Sequence, residues 1–303
     1  MGLKSFWRKR NSDSSLAFSR ISLRATACGF FVLVLVAAIP AIAASKLEDH
    51  FESAVVLDAT TGEVLYSHQP HQKVIPASLV KLMVALIAVE RAQQGQLDLN
   101  EKHTVSAAAS RIGGHQVFLK QGEVFTLEEL LKAVIIASAN DAAYAVAEHV
   151  GGTADRFVTF MNQRAKQLNM RDTEFHNVHG LPPNKRKGQK DNISSAYDLG
   201  VLARHVTKYP LILQWSSTRL DWFRDGTFQL LNTNHRFLRD VSGADGLKTG
   251  YHPRGAGFNL VGTAVRDGRR LITVVMGSPT SKDRLKAATT LMEKQFTPKA
   301  TLP

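Results

Sequence analysis

The sequence predicts an α+β domain: one antiparallel sheet covered by helices, with a helical lobe inserted into it. Three observations carry this prediction. Short β-rich runs with turn residues between them lie near both ends, at 53–69 and 257–277. Helical periodicity fills most of the stretch between them, from 78 to 207. A basic and then apolar leader stands apart from both, so the folding body starts near residue 44.

The leader comes first. Six basic residues against Asp13 give the first 24 residues a net +5 of the chain's +12, which leaves about +7 for the rest. That moderate basic bias suits an anionic partner. No signature of RNA or DNA reading accompanies it, so solvated faces explain it as well and no nucleic-acid partner is expected. The run from Ala25 to Ser45 is apolar, is broken by Pro40, and ends in the small residues Ala41, Ile42 and Ala43. It reads as a secretory signal peptide over 1–43, with an uncleaved N-terminal membrane anchor as the alternative. Either way residues 44–303 are exported. The chain's single cysteine, Cys28, lies in the leader. The exported body therefore has no disulfide, no cysteine metal site and no cysteine nucleophile. With 303 residues and 44% hydrophobic content, it is long enough to bury a sizeable core.

The body opens with two β-rich runs around Thr60-Thr61-Gly62-Glu63, a hairpin. A helix follows from about Ser78 to Gln94 and stops at Gly95. Thr126-Leu127-Glu128-Glu129 is a capping box ahead of the apolar LLKAVIIAS. Helices then run from about Asp141 to Val150, ending at Gly151-Gly152, and from about Ala154 to Leu168. The latter places Phe157, Phe160, Met161 and Leu168 on one stripe. LPPNKRKGQKD, 181–191, has the proline and charge of a surface loop. A further helix covers about Ala196 to Thr207. Near the end, GFNLVGTAV and RLITVVMG flank Arg266-Asp267-Gly268-Arg269, a hairpin with an Asp-Gly turn. An amphipathic helix from Ser281 to Phe296 closes the fold. The lobe inserted into the sheet spans about 95–190, the folded body 44–299, and 300–303 is a tail.

Three short motifs carry chemistry. In PASLVK, Ser78 and Lys81 are the polar residues at the start of a helix that is apolar all round. Positions i and i+3 share a helix face. A buried ammonium is expensive, and the positive end of the helix dipole adds to the cost. Both effects lower the lysine pKa, and a neutral lysine can take a proton from a serine hydroxyl. On these residues alone, a serine cap and an outward-reaching lysine are the simpler account. The second motif, Ser138-Ala139-Asn140, sits between two apolar helical runs. There Ser138 can relay a proton, and Asn140 can donate to a substrate carbonyl and accept from Lys81. By itself, a plain helix cap by Asn140 is the simpler account. The third, Lys248-Thr249-Gly250, precedes the final hairpin and belongs on an edge strand facing the cleft. Its lysine and threonine suit a carboxylate, its glycine lets a ligand backbone approach, and its edge can pair with an extended peptide. A surface turn with a solvated lysine is the alternative.

The three motifs occur together in the order S-x-x-K, S-x-N, K-T-G of the serine β-lactamases and penicillin-binding proteins. With PASLVK, FHNVHGLP, DGLKTG and GAGFNL, the chain resembles the D-alanyl-D-alanine carboxypeptidases over roughly 53–296. These are the low-molecular-mass penicillin-binding proteins. The resemblance implies a DD-peptidase/serine β-lactamase-like fold, with a five-stranded antiparallel sheet flanked by helices. It implies a serine-type peptidase of the periplasm or cell-wall space that removes the terminal D-alanine from peptidoglycan stem pentapeptides. Ser78 would be the nucleophile, Lys81 the general base and Ser138 a proton relay. Asn140, Lys248, Thr249, Gly250 and Tyr251 would bind substrate, with the N–H groups of Ser78 and Tyr251 as oxyanion hole. β-Lactams would acylate Ser78, and no metal or organic cofactor is required.

The departures from the family pattern are Val80, where threonine is frequent, and Tyr251, where histidine is frequent. No C-terminal β domain or C-terminal anchor is expected after TPKATLP, so any membrane attachment would run through the N-terminus. Arg254 is a further candidate for the substrate carboxylate, with a solvated loop arginine the simpler account. Rival readings are an endopeptidase of the same family, a class A β-lactamase and a silent wall-binding module. The second lacks its glutamate, since Ala165 stands where E-x-x-L-N would need it. The intact Ser78, Lys81, Asn140 and Lys248 argue against the third.

Overall fold

The computed structural model describes residues 46–297; the leader with Cys28 and the last six residues lie outside them. The first hairpin forms as expected, from β1 (Ser53–Asp58) and β2 (Val64–His68). A single 3₁₀ turn, Ala77–Val80, then leads into α1 (Lys81–Gln93). The predicted start at Ser78 is thus displaced, and Ser78 belongs to the tight turn and caps nothing. Two short strands, β3 (Lys102–Thr104) and β4 (Val124–Thr126), pair with each other. The sequence showed no period for them because each has only three residues.

The Thr126 box is present in both directions and starts α2 (Leu127–Ile135). Next come α3 (Asn140–Gly151) and α4 (Ala154–Gln167), the latter capped by Thr153. The polar stretch 181–191 is a loop with one 3₁₀ turn, and α5 (Ala196–Val206) follows a Ser195 cap. Residues 208–243 offered no expected element. They hold α6 (Pro210–Ser217), the hairpin β5 (Leu220–Phe223) and β6 (Phe228–Leu231), and α7 (His235–Asp240). The chain then enters β7 (Ala244–His252), β8 (Gly257–Arg266), β9 (Arg269–Ser278) and α8 (Ser281–Phe296). Asp267 and Gly268 both have positive φ, 48° and 75°, which a two-residue turn between twisted strands requires.

The main sheet is antiparallel and five-stranded, in the order β2-β1-β9-β8-β7. Its central strands are buried on both faces, and the alternation of side chains sorts them into two cores. Val55, Leu57, Val261, Ile272 and Val274 face the larger cluster, built with α1 to α6. Ala54, Val56, Leu260, Leu271 and Val275 face α8 through Ala288, Leu291 and Met292. In α1 the side chains of Leu82, Met83, Val84 and Leu86 are fully buried. Each such side chain is worth roughly 1.5–3 kcal/mol on burial, so this helix can be held in place although it begins with a lysine. Among the described residues, no helix is long and apolar enough to cross a membrane.

Candidate active site

The three motifs converge on a cleft of about 500 Å³. Ser78 reaches it from the 3₁₀ turn, Ser138 from the turn between α2 and α3, and Asn140 from the first turn of α3. Thr249, Gly250 and Tyr251 line it from β7, which is an edge strand of the sheet. Lys81 and Lys248 lie beneath its wall and are both fully buried.

Lys81 does not reach outward. Its Nζ donates to Ser78 Oγ at 2.9 Å, to Asn140 Oδ1 at 2.7 Å and to the His179 carbonyl at 2.8 Å. None of these partners is a carboxylate. Burial holds its pKa well below the ordinary lysine value, and the charge of Lys248 lowers it further; Asp141 acts in the opposite sense. The carboxylate of Asp141 is engaged elsewhere, accepting from the N–H groups of Val117, Leu119 and Ala142. A hydroxyl therefore sits within hydrogen-bond reach of a strongly desolvated amine. That pairing can generate an alkoxide nucleophile without a histidine or a metal.

The backbone around Ser78 is clamped by two glycines. Ala77 is in the left-handed region, φ 52°, which costs a non-glycine residue about 1–3 kcal/mol. On one side lies Gly180, where an added Cβ would meet the Ala77 carbonyl oxygen at 2.2 Å. On the other lies Gly250, where a Cβ would meet the Pro76 carbonyl oxygen at 2.7 Å. The glycine of K-T-G thus has a further reason beside the expected one: it admits the turn that carries Ser78. Asn140 also differs in part. Its Oδ1 takes Lys81, but its Nδ2 donates to the Gly113 carbonyl at 2.8 Å, and Ala139 occupies the cap position. Ser138 has a positive φ of 61° and is buried at the cleft wall.

Lys248 is held more loosely. Its Nζ finds Thr249 O at 3.3 Å and Thr233 Oγ1 at 3.5 Å, while the Thr249 hydroxyl donates to Thr233 Oγ1 at 2.8 Å. Burial, with a contribution from Arg284, lowers its pKa to about 7. No acidic residue lines the cleft. Tyr251 is 54% exposed and its ring stacks on Phe258 at 4.4 Å, forming part of the rim. Arg254 is exposed and does not line the cleft. Arg284, on the first turns of α8, does line it.

Sequence reasoning missed Arg284, Thr233 and His179. Arg284 carried a legible signal, a cation close to a helix N-terminus, the same anomaly that marked Lys81. Thr233 fell in the stretch with no periodic pattern. His179 lay inside FHNVHGLP, but its service to Lys81 is by a carbonyl, which no side-chain pattern reveals. Its ring accepts from Leu181 N at 3.1 Å, and burial and Lys81 push its pKa down to about 3, so it is neutral. Among the described residues no group of three or more metal-ligating side chains comes together.

Comparison with known proteins meets this geometry. Penicillin-binding protein 6B from Escherichia coli superposes with a TM-score of 0.75 at 35% identity, covering 84% of this chain and 79% of that one. Penicillin-binding protein D2 from Listeria monocytogenes, in its ampicillin-bound form, gives 0.73 at 31% identity, covering 82% and 98%. The fold is thus that of the penicillin-binding DD-peptidases. The chain belongs to the D-alanyl-D-alanine carboxypeptidase family, peptidase family S11, whose profile matches residues 41–280. It is 36% identical over 262 residues to the carboxypeptidase DacF of Bacillus subtilis, which covers 86% of this chain and 65% of DacF. It is 32% identical over 241 residues to the D-alanyl-D-alanine endopeptidase of E. coli, covering 78% and 74%. The chain spans 61–65% of the length of the first curated carboxypeptidases it matches.

Proposed function

We propose that the chain is an exported serine-type D-Ala-D-Ala carboxypeptidase that trims peptidoglycan stem pentapeptides and is acylated by β-lactams. The observation that carries this reading is the fully buried Lys81 Nζ, 2.9 Å from Ser78 Oγ, with no carboxylate among its partners. Ser78 Oγ attacks the carbonyl carbon of the penultimate D-alanine while its proton passes to Lys81. The developing oxyanion is received by the N–H groups of Ser78 and Tyr251. The amide C–N bond breaks, the departing D-alanine amine takes a proton from Lys81 by way of Ser138, and an ester remains on Ser78. Water then attacks the ester and gives a proton to Lys81; the ester C–O bond to Ser78 breaks, Ser78 Oγ takes that proton back from Lys81, and the shortened peptide leaves with a free carboxylate.

Lys248, Thr249 and Thr233 bind the terminal carboxylate, and Arg284 adds a second cation in the place first considered for Arg254. Asn140 holds Lys81 and faces the substrate amide. The ampicillin-bound form of the Listeria relative supports β-lactams as partners. The leader over 1–43 supports export, by cleavage or as an anchor.

A labelled penicillin tests the reading. The wild-type chain is expected to carry one covalent adduct, mapped by peptide mass spectrometry to Ser78, and to release D-alanine from a pentapeptide. The Ser78→Ala chain should lose both, by roughly 10⁴-fold or more in turnover, with an unchanged melting temperature. An adduct elsewhere, or an adduct retained by Ser78→Ala, contradicts it.

A further inference from the structure

A second cavity of about 210 Å³ adjoins the cleft on the side of the carboxylate-binding residues. The two share Thr233, Ser281 and Arg284 as walls. The smaller one continues past Arg284 to Asn234, Arg236 and the apolar Phe237 and Leu260. None of its lining residues is acidic. Two donors on its lining residues are buried and unpartnered: Nδ2 of Asn234, a residue only 2% exposed, and Nε of Arg284, whose Nη1 donates to the Asn259 carbonyl at 3.4 Å. A buried donor without an acceptor is costly, about 1–3 kcal/mol, and such groups are rarely left idle. Arg236, exposed at the mouth, is close enough to Arg284 for the two guanidiniums to repel each other. Two cations held together around unpaired donors are most stable when an anion lies between them.

The terminal carboxylate of a D-alanine does not extend into this space, because Lys248, Thr249 and the near side of Arg284 already receive it in the proposed reading. We infer that the annex takes a second carboxylate, carried on the side arm of the leaving D-residue. This rests on the carboxypeptidase reading and deepens it: the leaving group need not be D-alanine. Arg236, Asn234 and the far side of Arg284 would favour a D-amino acid whose side chain ends in an acid. A cross-linked stem peptide presents that chemistry, and so does a free peptide ending in an acidic D-residue. Arg236 acts here as a specificity residue, outside the reacting atoms.

Three peptides with the same acyl part, diacetyl-L-Lys-D-Ala, differ only in the last residue: D-Ala, D-Glu or its neutral isostere D-Gln. The wild-type chain is expected to cleave the D-Glu peptide with a kcat/KM about five- to tenfold above that for D-Gln, the size of one exposed charge-assisted contact. The preference should shrink as salt rises. In Arg236→Gln it should disappear with D-Ala cleavage unchanged, and Arg236→Lys should restore part of it. A purified cross-linked muropeptide dimer, assayed beside the D-Glu peptide, tells which source of the acid is used. Equal rates for D-Glu and D-Gln, or an equal loss on all three peptides in Arg236→Gln, overturns the annex and leaves the carboxypeptidase reading standing. Absence of both D-Ala release and a penicillin adduct overturns both.

Discussion

Two lysines are buried to the same degree beneath the wall of one cleft, and their surroundings differ. Lys81 has three acceptors within 2.9 Å, all neutral, and Lys248 has two contacts at 3.3 and 3.5 Å. The close set locks the first amine in one orientation beside Ser78 and leaves it no counter-charge. The loose set leaves the second with unused hydrogen-bonding capacity toward the cleft. The lysines also act on each other: a charged Lys248 makes a second charge on Lys81 harder to hold. Burial alone therefore does not define a catalytic base. In the proposed reading, the partners decide whether a buried lysine serves as base or holds its proton for an anion.

The comparison breaks most decisively at the first lysine. Lys81→Arg puts a permanent cation in place of a group that can accept a proton, so penicillin acylation should fall by about 10²- to 10⁴-fold. Retained acylation in stopped-flow or adduct-formation measurements would mean that another group takes the proton.

The second lysine is tested by pH. Its pKa of about 7 in the folded chain lies below the roughly 10.4 of an unfolded lysine, so between these values the unfolded state binds the extra proton. The cost of burying that ammonium is present in full below pH 7 and fades as the pH rises toward 10.4, so this lysine's contribution makes folding more favourable upward through that window. Carboxylate recognition runs the other way, since it needs the ammonium. The kcat/KM for D-Ala-D-Ala peptides should fall above about pH 7, approaching about tenfold per unit, while denaturation midpoints do not fall with it. A profile flat to pH 9 would assign the carboxylate to Arg284 alone.

The smallest expected effect is at Thr233→Val, which removes the hydroxyl shared by Lys248 and Thr249. KM should rise about three- to tenfold with penicillin still attached to Ser78, the scale of one lost hydrogen bond. A change in kcat alone would move Thr233 from binding to chemistry.

Most of the fold was legible because its signals are local. The Thr126 box, the Asp267-Gly268 turn and the stripe of Phe157 and Met161 each specify an element from a few residues. The five-stranded sheet itself was expected from family resemblance, since strand order is a long-range property. The stretch 208–243 was opaque because its helices and strands are four to eight residues long, too short to show a period. At the site, Ser78, Lys81, Ser138, Asn140, Lys248 and Thr249 were legible through the three motifs taken together, and Arg284 and Thr233, which belong to no motif, were not. The His179 carbonyl and the packing of Gly180 were not, because backbone atoms leave no trace in a residue pattern. At Gly250 a second demand for glycine was not visible in the sequence, the close approach of the chain's own turn at Pro76.

The grip of Gly180 and Gly250 on the residues before Ser78 has an evolutionary corollary. A methyl group at either position would dislodge the nucleophile by pushing on its own main chain, so neither can drift toward new substrates. Side chains such as Tyr251, Leu181 and Arg236 line the cleft and its annex, and in the proposed reading variation there would change what is admitted while the turn that carries Ser78 stays gripped.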